Sequence, residues 1–255
     1  MDNKKEQFFV RHMMDLANRA NQGNYPVFTD FLTTGEYALM NRMHRQFSYV
    51  KIHFFGGHSD CSHTVAGFFP ADWPEITESV FPVCCIKITP QDERYAQKLT
   101  HRDYLGAILN LGIERSKIGD IRINDKTAFV FCRDDFTSFI LENLYQVKHT
   151  TVYCEQIEKE EEIPPQQYEI LNRSVASPRL DNIVAAATGR SRSGAVQLIA
   201  QGHVVAGYEE RTSASYSCRD DMILTIRGYG KYRLRIPEET YTRKGKLKII
   251  IYKYK

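Results

Sequence analysis

Apolar residues along the first helix-length stretch, residues 3–20, recur close to the helical period at Phe8, Phe9, Met13, Leu16, Ala17 and Ala20, which predicts an amphipathic helix. Residues 23–26 hold Gly and Pro and break it. Beyond the break, residues 35–45 read as a second helix. Residues 49–55 read as an apolar strand closed by Gly56-Gly57, and residues 64–69 as a short strand ended by Pro70 and Pro74. These elements define an N-terminal α/β domain over residues 1–76.

The next stretch alternates more regularly. Residues 83–88 predict a strand, 101–111 a helix, 118–124 a strand, 127–132 a strand after the turn-like Asn124-Asp125, 134–144 a helix and 152–157 a last strand. That order, β-α-β-β-α-β, is the split, ferredoxin-like arrangement also used by RRM domains, and it predicts an RRM-like domain over residues 77–163. Within it, Lys126-Thr127-Ala128-Phe129-Val130-Phe131 partly resembles the strand on whose aromatics RNA bases stack. The expected glycine is absent, and Phe129 facing the helices is the alternative. Residues 158–162 are a charged run followed by Ile163-Pro164-Pro165; they read as a solvated linker, and a third domain is expected over residues 164–255. The fold class is α+β and multi-domain.

The third domain carries the chemistry. Ser177-Pro178 predicts a helix start, with Leu180, Ile183, Val184 and Ala187 on its apolar face and Gly189 as its stop. Ser191 then predicts the cap of a second short helix, whose buried stripe is Ala195, Leu198 and Ile199 and whose close is Gly202, with a strand over 203–206. Off those stripes lie Arg179, Asn182, Arg190, Ser191, Arg192, Ser193 and Gln197. They make a compact polyanion reader, since guanidinium forks match phosphate oxygens bidentately. Asp181 reads as the partner of a nearby arginine rather than as a catalytic acid. Further on, residues 230–236 put Lys231, Arg233 and Arg235 on one face and Tyr232, Leu234 and Ile236 on the other, and residues 246–249 repeat the pattern. This basic β-hairpin extension either contacts phosphate or protects a sheet edge.

Charge sharpens the picture. Residues 1–175 hold 19 Lys and Arg against 24 Asp and Glu, a net of −5, whereas residues 176–255 hold 15 against 7, a net of +8. A basic module on a mildly acidic body points to a polyanion, which charge alone leaves as RNA, DNA or anionic lipid. No apolar run approaches the roughly 18–20 residues of a membrane span, and the first residues lack a secretory pattern, so a cytoplasmic location is expected. The six cysteines include no C-x-x-C pair and are expected as free, buried thiols. The run from His58 to His63 gathers metal-ligand residue types without a second ligand pair, so a polar loop is expected there and no metal.

Arg179-Leu180-Asp181, Gly189-Arg190-Ser191-Arg192-Ser193, Gln197-Leu198-Ile199, Gly202 and Val204-Val205, with Arg219-Asp220-Asp221-Met222-Ile223 closing the motif, resemble the S4 domain of the αL type. With the two preceding domains and Gly228-Tyr229-Gly230-Lys231-Tyr232, the whole chain resembles the bacterial YlmH-type proteins. That resemblance implies binding of structured ribosomal RNA or tRNA, association with the large ribosomal subunit during rescue of stalled translation, and a gene in a cell-division cluster. S4 domains are often appended to enzymes, but no P-loop, nucleophile elbow or H-E-x-x-H is present, and Gly56-Gly57 precedes no convincing phosphate loop. The expectation is a binder, with no catalytic residue and no cofactor. The alternatives are an RNA-modifying enzyme targeted by its S4 domain and a division-linked protein adaptor.

Overall fold

In the computed structural model, which describes residues 3–94, 96–157, 163–207, 209–237 and 241–254, the first amphipathic stretch is α1 (Asn3–Gly23). Phe9, Met13, Leu16, Ala17 and Ala20 are buried, whereas Phe8 lies off the stripe and is exposed. Next come β1 (Val27–Phe31), α2 (Thr34–Met43), β2 (Val50–Phe55) and β3 (Val65–Pro70), the strands forming an antiparallel sheet in the order β1-β3-β2. A capping box starts α2: the Glu36 amide donates to the Thr33 hydroxyl at 3.3 Å, and the Thr33 amide donates to the Glu36 carboxylate at 2.7 Å.

Then follow β4 (Val83–Pro90), α3 (His101–Leu109), β5 (Ile118–Asn124), β6 (Thr127–Arg133), α4 (Thr137–Asn143), β7 (Gln146–Val147) and β8 (Thr150–Ile157). The sheet order is β5-β6-β4-β8-β7, with every neighbouring pair antiparallel. One face, with Ile86, Ile88 and Val130, packs on Tyr104 and Ile108 of α3 and Ile140 of α4. On the other, Cys85, Phe129 and Phe131 join Phe31, Val65 and Phe69 of the first sheet in one apolar cluster. This corrects the base-stacking expectation for residues 126–131. Phe129 and Phe131 are 5% and 0% exposed, so their rings fill a junction between sheets and face neither RNA nor the helices. Gly56-Gly57 belongs to the same junction. Gly57 has φ +97°, and a Cβ there would lie 2.4 Å from the Phe131 ring, so the glycine permits close approach. Lys117, in the turn just before β5, pairs with Asp30 of β1 at 2.8 Å. Both sheets thus belong to one compact unit, residues 1–165, and the expected divide near residue 76 runs beside a shared core. The charged run at 158–162 lies outside the described residues.

The second unit, residues 166–255, comprises β9 (Tyr168–Val175), α5 (Leu180–Thr188), α6 (Arg192–Ala200), β10 (Val204–Ala206), β11 (Glu209–Glu210), β12 (Met222–Ile226), β13 (Gly230–Arg235) and β14 (Leu247–Tyr254). Its sheet runs β11-β10-β12-β13-β14-β9. Helices α5 and α6 cover one face: Leu180, Ile183, Val184, Leu198 and Ile199 share a core with Leu224, Tyr232, Leu234, Ile249 and Ile251. Gly189 ends α5 in the left-handed conformation at φ +71°.

Two expectations change here. Ser177-Pro178 does not start α5. Arg179 is its N-cap residue, and the first helical amides are satisfied from a distant loop, Leu180 donating to the Tyr216 carbonyl at 2.8 Å and Asp181 to that of Ala214 at 3.1 Å. Nor is the basic extension a free hairpin. Strand β13 lies between β12 and β14, and β14 pairs along its whole length with β9, so protection of a sheet edge does not explain the charges on β13. All six cysteines are free thiols, and burial pushes Cys85, Cys132 and Cys218 up to about 12. Among the described residues no helix is long and apolar enough to cross a membrane.

Candidate nucleic-acid interface

The two helices of the second unit begin close to one buried carboxylate. Asp181, in the first turn of α5, is 1% exposed. Its carboxylate accepts two bonds from Arg179 at 3.2 Å each, two from Arg192 at 3.0 and 2.8 Å, and one from the Asn182 amide at 2.9 Å. Burial alone would raise its pKa, but the two guanidinium groups outweigh that and hold it below the ordinary carboxylate value. The clamp fixes two arginines without hiding them: their side chains are 41% and 63% exposed. On Arg192 the bonds to Asp181 use two of the five guanidinium donors.

Arg190 stands beside this pair, two residues before the start of α6. Its guanidinium bonds the Tyr229 hydroxyl and lies 5.5 Å from the centroid of that ring. Ser191 is the N-cap of α6, its hydroxyl accepting from the Gly194 amide at 3.2 Å, and Ser193 lies 3.0 Å from it, hydroxyl to hydroxyl. Arg179 at the start of α5 and Arg192 at the start of α6 therefore meet on one buried carboxylate, with Arg190 two residues before Arg192; the first amides of α5 are already engaged, so the helix terminus that favours an anion here is that of α6. Asn182 is turned inward, its amide donating to the Ser177 carbonyl at 3.2 Å and hydroxyl at 3.1 Å, so it braces the loop before α5. Gln197 is exposed on α6.

Lys231, Arg233 and Arg235 are elsewhere. They alternate with the core residues Tyr232 and Leu234 and project from the sheet face opposite the helices. Arg233 bonds Asp221 with both edges of its fork, 2.9 Å for the longer bond, and Arg235 reaches Asp220 at 3.3 Å. The predicted basic residues thus form two separate surfaces of the second unit, one at the starts of its helices and one on its sheet. Asp181, read from the sequence as the partner of a nearby arginine, holds two, Arg179 and Arg192, while the anchoring of Arg190 by Tyr229 was beyond sequence reasoning. The one available signal for Tyr229 was its place in the glycine-flanked Gly228-Tyr229-Gly230 turn.

In the first unit the His58–His63 loop has structural partners. Asp60 pairs with the buried Arg122, His58 contacts Asp60 at 2.6 Å, and His63 contacts Asp120 at 2.5 Å. Among the described residues no group of three or more His, Cys, Asp or Glu is arranged to hold a metal.

Residues 178–224, which span the helix pair and most of β12, match the family model "S4 domain". The arginine-bearing edge therefore belongs to an RNA-binding module of the S4 class. Residues 78–161 match the model "Putative RNA-binding domain in YlmH". A curated Bacillus subtilis protein, "Ribosome-associated protein quality control protein P2", is 27% identical over 235 residues, covering 91% of this chain and 89% of that protein. The solved structure of "Cell division protein ylmH from Streptococcus pneumoniae" is similar at TM-score 0.52 and 21% identity, over 63% of this chain and 95% of that one, a likeness in fold. The chain thus carries, in this order, a putative RNA-binding domain of the kind found in YlmH and an S4 domain, and over most of its length it is similar to a ribosome-associated protein.

Proposed function

We propose that this protein acts in the cytoplasm by binding structured RNA, ribosomal RNA or tRNA, on the large ribosomal subunit during rescue of stalled translation, and that it acts without catalysis. The observation that carries the reading is the arginine edge. Arg179 and Arg192 are held on buried Asp181, with Arg190 braced by Tyr229 just before α6, so three guanidiniums are preorganised around a helix start that itself favours phosphate. Recognition on this edge is of shape and phosphate, as suits A-form or junction RNA. The name of the Bacillus subtilis relative supports the ribosomal setting. The strand order of the five-stranded sheet supports an RRM-like reading of residues 77–163, whose aromatic strand is spent on internal packing.

Sedimentation of the full chain with ribosomal subunits over a salt series is the direct test. Co-sedimentation with the large subunit that weakens steeply with salt is expected, because each neutralised phosphate releases counterions. Failure to sediment with either subunit at low salt would refute the ribosomal reading. The nucleoside composition of the bound RNA should be unchanged by the protein, and a new modified nucleoside would refute the non-catalytic one.

A further inference from the structure

The second unit's sheet has one face without a helix on it among the described residues. Leu224, Leu234, Ile249 and Ile251 point into the core beneath α5 and α6. Their sequence neighbours point the other way: Arg233 and Arg235 on β13, Ile250 and Tyr252 on β14, and Tyr168 and Ile170 on β9. The registers join them in rows. Arg233 is paired with Tyr252 and Tyr252 with Ile170, while the next row pairs Tyr254 with Tyr168.

We propose that this face is a second RNA-binding surface, on which Tyr168 and Tyr252, with Ile170 in the Tyr252 row, stack unpaired bases of a single strand while Arg233, Arg235, Lys231 and Lys248 take its phosphates. The inference rests on the RNA-binding reading above and extends it to single-stranded RNA at a site separate from the helix edge.

Three observations carry it. First, the aromatic groups form a cluster whose rings do not stack on one another in parallel. Tyr168 meets Tyr252 at 5.6 Å and 76°, and Tyr254 at 5.0 Å and 72°, so edge-to-face packing orders the rings and leaves ring faces for a base. Second, Ile170 is 57% exposed beside them on a strand that has no need of apolar residues on its outer side. Third, cations are interleaved with the rings rather than segregated from them. Arg233 lies directly across from Tyr252, Lys231 holds its ammonium 5.0 Å from the Tyr254 centroid, and Lys248 sits on the same face of β14. Asp220 and Asp221 orient Arg233 and Arg235.

An apolar protein segment would have to bury those charges, which is costly without counter-charges. A duplex keeps its base faces stacked inside. A single strand offers both the faces and the phosphates, and aromatic platforms set in a basic groove recognise it without sequence readout.

The test uses the full chain, a fluorescein-labelled oligouridine of about ten nucleotides, within the span a stacking platform covers, and in parallel a blunt RNA hairpin. The parent protein should bind both. Tyr168→Leu with Tyr252→Leu keeps apolar bulk but removes the π faces; oligouridine affinity should fall roughly tenfold or more, given what one stacked base contributes, with hairpin affinity unchanged. The Phe pair should bind oligouridine like the parent, because stacking needs the ring and not the hydroxyl. Arg190→Ala should give the reverse pattern, losing hairpin more than oligouridine. The proposal is overturned if the Leu pair binds oligouridine as tightly as the parent, if the Phe pair loses as much as the Leu pair, or if the parent binds the hairpin but no oligouridine. In that last case the helix-edge reading survives. Loss of hairpin binding by the parent itself would instead remove the reading on which this one rests.

Discussion

Arg192→Ala tests whether the arginine edge is also a folding device. The side chain supplies two of the five bonds on a carboxylate that is 1% exposed, and its removal leaves Asp181 with Arg179 and one backbone amide. Stripping a partner from a fully buried ion pair costs about 3–5 kcal/mol. Arg192 is 63% exposed, so its own share of the attraction is screened by solvent, and the expected loss is about 1–2 kcal/mol. For a unit spanning residues 166–255 that corresponds to a fall in melting temperature of roughly 5–15 °C. Removing Arg179 as well should cost more than the two single losses together, since the last counter-charge goes with it. In the Asp181→Asn background, Arg192→Ala should cost little. The sign with pH follows from the depressed pKa of Asp181. Its contribution is fully present above the unfolded carboxylate value of about 3.9 and is lost as pH falls through the lower folded value, so the stability of Asp181→Asn should vary less than the parent's over that range. Differential scanning calorimetry of the five variants (the two single arginine replacements, their double, Asp181→Asn and Asp181→Asn with Arg192→Ala), repeated at pH 6 and in the acid range, reads all of this. A melting temperature for Arg192→Ala equal to the parent's, or additive losses throughout, would refute the clamp.

Arg190→Ala should change melting far less than Arg192→Ala, because this residue braces a half-buried tyrosine from the surface rather than a buried charge, while lowering RNA affinity and the salt slope by about one phosphate; filter binding over a salt series, with calorimetry beside it, checks both. A fragment of residues 166–255 should fold, whereas one starting at 176 lacks β9, exposes the pairing edge of β14 and should aggregate or melt lower by light scattering and circular dichroism. Gly57→Ala should destabilise the first unit by on the order of 2–4 kcal/mol in urea titration, through its positive φ and the 2.4 Å approach to Phe131.

Elements that bury one clean face could be read from the chain. The stripe from Phe9 to Ala20, the two short helices around Gly189 and the alternating core of β13 all lie where their periods put them, because one-sided burial writes a period into sequence. Strands β1 and β9 were not read. Val27–Phe31 is short and carries Thr29 and Asp30, whose polar atoms are used inside the fold: the Thr29 hydroxyl accepts from the Ala66 amide at 2.9 Å, and Asp30 pairs with Lys117. Tyr168–Val175 is mostly exposed on both faces, being the last strand of its sheet, so neither period shows. The RRM-like aromatics misled for a related reason. A strand packed on both faces places aromatics identically whether its second face meets RNA or another sheet, and only the neighbouring Phe31, Val65 and Phe69 decide between them.

The arginines pose the harder problem, because one residue serves two ends. Pattern reasoning separates apolar stripe from polar remainder and assigns the remainder to solvent or ligand. On that basis Arg190 and Arg192 are equivalent, and replacing both would leave the fold intact. The tertiary structure divides them. Arg192 crosses to a carboxylate on the other helix, eleven positions back in sequence, and so ties α6 to α5 while its outer edge stays open to solvent; Arg190 bonds only at the surface. A buried acid that holds two exposed guanidiniums costs little net stability while its partners remain, and it narrows the rotamers those arginines lose on meeting phosphate. Folding and binding therefore draw on the same side chain. A loss of RNA affinity in an Arg192 variant counts as evidence about the interface only when thermal stability is measured beside it and Arg190→Ala serves as the reference.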